Sequence, residues 1–218
     1  MGLILCEGRP VSTLRLALPS LGAWTYDVEI ADPDSLSGLV TLKEGTLSWI
    51  GTVARSRAHA GRTRARVVGG KGGLAKIVDC QHYRDVQASE IVQALLAEAG
   101  ESLSSTADTS LLRTRLDHWT RWGDTTAGLA LESLADKLGA GWRVLADGTI
   151  WIGAETYPTQ TIDEANELDR MDDIGEATLA TGSMALRPGV TFSGRRVLDV
   201  LHVAGAGSVR THYSFELS

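Results

Sequence analysis

Four groups of residues in this chain are of types that could do chemistry, and none assembles a catalytic constellation. Asp79-Cys80-Gln81-His82 sets a thiol two residues from an imidazole. On a strand the two share a face, but roughly 6–7 Å apart, too far for a direct sulfur–base hydrogen bond. The flanking residues match no cysteine-protease signature, so a buried structural thiol is the expected state of Cys80. Gly69-Gly70-Lys71-Gly72-Gly73 resembles a phosphate loop only in composition. Its lysine is followed by glycine where a P-loop needs Ser or Thr, and β-forming residues follow where a helix should start. A turn or exposed loop at a subunit contact is expected there. Two cysteines and five histidines lie scattered without metal-ligand spacing.

Charged and aromatic groups point to surfaces in the same way. Arg55, Arg57, Arg62, Arg64 and Arg66, with His59, are the only basic concentration. Arg62, Arg64 and Arg66 alternate along one strand face without interleaved aromatics, which favours pairing with acidic loops over phosphate contact. The acidic run Asp163, Glu164, Glu167, Asp169, Asp172 and Asp173 lacks the loop spacing of an EF-hand, and a charged surface is expected. Trp119 and Trp122, beside His118 and Arg121, could form a sugar platform, but indole rings more often anchor one element on another. No catalytic, cofactor-binding or metal-binding residue is therefore assigned, and no cofactor is expected.

The elements that would position these groups follow from hydrophobic periodicity. Apolar residues recur at every second position from Leu14 to about Gln81, at three and four from about Gln87 to Leu138, and at two again after Trp142. Trp24, Tyr26, Val28 and Ile30 alternate with Thr25, Asp27 and Glu29, and pair as a hairpin with Leu14–Leu18. Strands follow at Leu39–Leu42, Leu47–Ala54 and Thr63–Val68, and a further strand is predicted within Leu74–His82. So many short strands must close or stack, as a small barrel or sandwich.

Ile91, Val92, Leu95, Leu96 and Ala99 predict one helix ending at Gly100. Leu129, Leu131, Leu134, Ala135 and Leu138 predict the buried side of another, capped by Asp124 or Thr125. Between them Glu101–Ser110 is expected to be loop. Trp142–Ile152 is expected to be a hairpin turning on Asp147-Gly148. Beyond the acidic stretch come strands at Ala177–Leu186, Arg195–Ala204 and Ser208–Leu217. The last two should face Val197, Asp199, Leu201 and Val203 against Val209, Thr211, Tyr213 and Phe215. The expected class is α+β, mainly β: a first β part over 1–82, a helical insert with a hairpin over 83–157, and a second β part over 158–218.

Bulk composition narrows function further. At 218 residues and net charge −6, the chain has no overall attraction to nucleic acid or anionic membranes. Its two cysteines suit reduced thiols, and its start lacks the basic region of a secretory signal. Six tryptophans against two phenylalanines suit buried subunit contacts.

In wording and layout the chain resembles the central hub proteins of phage tails and baseplates, related to the spike-carrying hubs of contractile injection systems. The resemblance rests on LPSLGAWTYDVEI, TRARVVGGKGGL, ALLAEAGE, LDHWTRWGDTTAGLALESLADKLGAGWRVLADGTIWIG and RPGVTFSGRRVLDVLHVAGAGSVRTHYSFE. It implies two tail-tube-like β-barrels in one chain and a homotrimeric ring of pseudo-sixfold symmetry. The implied location is the virion, assembled in the host cytoplasm. The implied partners are tail tube or distal tail protein and spike, fibre or tape-measure proteins. DNA would transit the lumen without specific binding, and a negatively charged lining would let it slide. A tail-tube terminator or distal tail adaptor, a cell-wall-degrading tail enzyme using Cys80, and a carbohydrate-binding module using Trp119 and Trp122 are the competing readings.

Overall fold

The computed structural model describes residues 3–162, 166–181, 183–205 and 208–217. In chain order its elements are β1 (Ile4–Cys6), β2 (Arg9–Leu18), β3 (Thr25–Ile30), β4 (Leu39–Glu44), β5 (Leu47–His59) and β6 (Arg62–Gly69), then a 3-10 turn at Gly73–Ala75. The central part holds β7 (Ile77–Val78), β8 (Gln81–Gln87), α1 (Ala88–Ala99), α2 (Thr109–Leu112), β9 (Arg115–Arg121), β10 (Thr125–Thr126), α3 (Ala127–Leu138), β11 (Gly141–Val144) and β12 (Ile150–Gly153). The last part holds β13 (Asn166–Met171), β14 (Glu176–Thr181), β15 (Thr191–Phe192), β16 (Arg195–Gly205) and β17 (Ser208–Phe215). The fold is mainly β with a helical insert, as its periodicity predicts.

The first six strands close a barrel in the order β1-β4-β5-β6-β3-β2, with β1 returning to β2. Strand alternation fills its interior with Leu14, Leu16, Tyr26, Ile30, Leu42 and Val67. The indole of Trp24 stacks on Tyr26 at 5.9 Å between ring centres. It has room because Gly51 and Gly69, directly paired across β5 and β6, lack side chains. A Cβ at Gly69 would come within 2.7 Å of the ring. Trp24 Nε1 donates to the Leu145 carbonyl at 3.0 Å, tying the barrel to the β11–β12 hairpin.

Strand β2 serves two sheets. Arg9 and Pro10 pair with β1, closing the barrel, while Thr13–Leu18 pair with β16 on the same edge. The barrel sheet therefore continues into the last part as β5-β6-β3-β2-β16-β17-β14-β13, eight strands in a row. This row is a repeat. Its first half runs β5-β6-β3-β2 and its second β16-β17-β14-β13, and replacing β2, β3, β5 and β6 by β13, β14, β16 and β17 converts one order into the other. The correspondence extends to detail: β4 flanks β5 as β15 flanks β16. Bulges interrupt the equivalent ladders β5–β6 and β16–β17, and likewise β2–β3 and β13–β14. Among the described residues the second half has no counterpart of β1, so it stays an open sheet.

The insert packs its helices as their periodicity dictates, with Ile91, Val92, Leu95, Leu96 and Ala99 buried on α1. Gly100 caps it in the left-handed conformation at φ 78°, and the Lys76 ammonium donates to the freed Ala99 carbonyl at 3.0 Å. On α3 the cap is Thr126, not Asp124 or Thr125, its hydroxyl accepting from Leu129 N at 3.3 Å. Leu129, two residues before Leu131, falls off the stripe and is 56% exposed, while Ala127 and Ala130 lie on it and are buried.

Other expectations change for identifiable reasons. Leu74–His82 is split between the 3-10 turn, β7 and the start of β8. His118–Arg121 belongs to β9 rather than to a helical stretch, paired along its length with β8. The β11–β12 connection spans Leu145–Thr149 and is pinned by Asp147, whose carboxylate accepts from Thr149 N and Oγ1. Asn166–Met171, in the acidic stretch expected as charged surface with some short structure, is a largely exposed strand at the sheet edge. On β16 the bulge between Val197 and Val200 adds one residue, so Val200, His202 and Ala204 face the core while Leu201 and Val203 turn outward.

Candidate assembly surface

The eight-strand row ends in two bare edges. At one end β4 covers β5 only as far as Thr52, and beyond it Ala54–His59 has no strand on that side among the described residues. At the other end β13 pairs with β14 alone. Each edge presents unpaired N–H and C=O groups, a template for another strand. Their charges oppose. The β5 edge carries Arg55, Arg57 and His59, all exposed. The β13 edge carries Glu167 and Asp169, with Asp172 and Asp173 just beyond, and Leu168 and Met171 exposed between them. Asp163 and Glu164, the start of the acidic run, lie outside the described residues.

The remaining arginines are bound within the chain rather than by distant acidic loops. The Glu29 carboxylate receives Arg62 at 2.6 Å and Arg64 at 2.7 Å, and these two hydrogen bonds hold it below the usual carboxylate range. Arg66 lies 3.5 Å from Asp27 on the same neighbouring strand. The acidic run is likewise partly paired, with Arg170 and Arg195 both on Asp172.

The glycine loop is neither free nor a phosphate cradle. The Glu101 carboxylate already fills it, accepting from Gly73 N at 2.7 Å and Lys71 N at 3.0 Å. Gly70 and Gly72 take φ of 84° and 83° to aim these donors inward, the geometry of an anion-binding nest whose anion is internal. Cys80, expected to be buried, is exposed just before β8, and it is Cys6 that is enclosed in the barrel, its thiol pushed up by burial. The His82 imidazole is engaged with Thr120, its Nδ1 3.0 Å from the hydroxyl. The tryptophan pair divides: Trp119 is buried against Tyr83 at 5.8 Å, an anchor, while Trp122 is 69% exposed with the His82 ring edge-on at 6.4 Å. Among the described residues, no three His, Cys, Asp or Glu side chains group as a metal site, and no helix is long and apolar enough to cross a membrane.

Three buried polar groups went unsignalled in the sequence. Glu44 reaches from β4 to accept from Met184 N at 2.7 Å, and burial raises its carboxyl. Arg121, 2% exposed, joins Glu98 on α1 at 2.6 Å and the Asp79 carbonyl at 2.6 Å. His202 bridges the Thr211 hydroxyl at 2.8 Å and the Leu186 carbonyl at 2.9 Å, and burial pushes it down to about 4. All three hold elements together. Their partners stand 16 residues or more away in four of these five contacts, so no local motif marks them.

No family model matches the sequence, and no curated protein matches it. Solved structures do match. The 43 kDa tail protein of prophage MuSo2 from Shewanella oneidensis superposes with a TM-score of 0.72 at 9% identity, over 98% of this chain and 97% of that one. A tail protein from Neisseria meningitidis MC58 gives 0.70 at 12% identity, over 98% and 95%. The chain has the fold of phage tail proteins. The same tail-protein fold relates it to the Escherichia coli c3393 protein, a type VI secretion component described as similar to the T4 tail proteins gp27 and gp5. That match has a TM-score of 0.69 at 12% identity, over 99% of this chain and 76% of that one. Identity this low means that the tail-protein fold is kept by alternation and topology, not by particular surface residues.

Proposed function

We propose that this chain is a structural component of a phage tail, the central hub of a tail tip or baseplate. Three copies form a ring that joins the tail tube to spike or fibre proteins and lets DNA pass. The observation that carries this reading is the repeat in the sheet. Inside one chain, the last strand of the first half, β2, pairs with the first strand of the second half, β16. The equivalents of that pair are β13 and β5, the two strands with bare edges. A junction of β13 on one copy with β5 on the next therefore reproduces the internal junction, removes both edges and brings Asp169, at the acidic end of β13, toward Arg57 on β5. Head-to-tail contacts close into a ring when the rotation from copy to copy closes, and a chain holding two like halves then gives six similar sectors from three copies. Such a ring can meet a threefold partner on one side and a sixfold one on the other.

The tail-protein fold of the neighbouring structures supports the setting, and a scaffolding role accounts for buried polar groups spent on joining elements. Native mass spectrometry of the full chain tests it: a species of three chain masses is expected, and Glu167→Lys with Asp169→Lys should shift the population to single chains. Six chain masses would fit the terminator or adaptor reading. A single chain at every concentration would contradict the ring.

A further inference from the structure

Ring closure leaves one surface unexplained: the solvent face of the eight-strand row. Across it the ladders align one line of directly opposed positions, Arg55, Arg66, Asp27, Arg15, Val203 and Arg210, from β5 to β17. Six neighbouring strands at about 4.8 Å spacing make this line about 24 Å long. Two residues along, Arg57, Arg64 and Glu29 begin a parallel line. Both lie in one open groove of about 900 Å³, lined by six arginines and two carboxylates.

The carboxylates do not neutralise it. Glu29 is committed to Arg62 and Arg64, and Asp27 to Arg66. Arg15, Arg55, Arg57 and Arg210 are exposed and form no salt bridge among the described residues. Arg55 stands directly opposite Arg66, and Arg57 opposite Arg64, pairings of like charge that destabilise a sheet. In a chain of net charge −6, concentrating cations on one concave face at a cost in stability implies an anionic occupant.

We infer that this groove carries the phosphate backbone of duplex nucleic acid, without reading its sequence. Guanidinium forks suit phosphate oxygens, and contacts of this kind position a duplex rather than specify it. The groove lining holds no aromatic ring for stacking bases and no Asn or Gln for reading base edges. An acidic protein segment would need apolar anchors as well, and on the outward positions of the charged line Val203 is the only one. The setting rests on the hub reading, with this face turned toward the channel. It replaces the negatively charged lining expected from net charge with a cationic track.

Arg55 and Arg57 border the β5 edge and are shared with any neighbouring copy. Arg15 and Arg210 stand on interior strands and remain free in a ring. Titrating the full chain against a labelled 20-base-pair duplex in 50 mM and 200 mM salt tests the inference. Binding is expected to weaken at least about tenfold between the two, as two or more phosphate contacts require. Arg15→Gln with Arg210→Gln should lower the logarithmic salt slope by about 2 while leaving the assembly's mass unchanged. No binding at 50 mM, an unchanged slope in the variant, or a polyglutamate peptide of equal charge binding more tightly than the duplex would each overturn it. Because mass and binding are read separately, a failed ring with intact binding counts against the hub alone, and an intact ring without binding against the groove alone.

Discussion

At the scale of single residues, stability is concentrated where a large ring or a charge is enclosed. Trp24 occupies space left by Gly51 and Gly69, so Gly69→Ala should cost about 1–3 kcal/mol, seen as a lower urea midpoint with unchanged slope. His202 gives a pH signature. Its folded value of about 4 lies below the ordinary 6.5, so the unfolded chain binds the proton first. Its contribution is whole above pH 6.5, falls as pH drops from 6.5 to 4, and is constant below. The shift corresponds to about 3 kcal/mol. Buried Glu44, whose raised carboxyl acts with the opposite sign, makes total stability an ambiguous readout. The difference between the native chain and His202→Gln, measured by urea unfolding at pH 7 and pH 4.5, isolates the histidine and should shrink toward pH 4.5. A constant difference would exclude the mechanism.

At the scale of elements, periodicity was a good guide wherever one face alone meets the core. The Trp24–Ile30 alternation and the α1 stripe were legible for that reason, and both are buried as their spacing requires. What stayed illegible depends on partners distant in sequence. The bulge in β16 reverses the faces of Leu201 and Val203, and its extra residue has no compositional mark. β9 carries Arg115, Asp117, His118 and Arg121 among few apolar residues, so only its ladder to β8 defines it. The glycine loop was recognised as a poor phosphate site, but its internal anion, Glu101, lies 28 residues beyond Gly73. Glu101→Ala should therefore leave two donors unsatisfied and cost about 1–3 kcal/mol. Faster hydrogen exchange at Lys71 and Gly73 than in the barrel strands would locate the loss, and unchanged exchange there would refute the assignment.

At the scale of the whole molecule, the repeat matters more than any side chain. It was invisible in the sequence because alternation sets which way a strand faces, not which strand lies beside it, and four-strand units of one topology need share no residues. The candidate surface was correspondingly only half legible: the arginine cluster and acidic run stood out, but their places at opposite ends of one sheet did not. The most direct measurement is electron cryo-microscopy of the purified assembly. A closed ring of three copies is expected, in which the sheet passes without a break from β13 of each chain to β5 of the next. Single chains, or a ring whose copies meet through the helical insert with both strand edges left open, would contradict it.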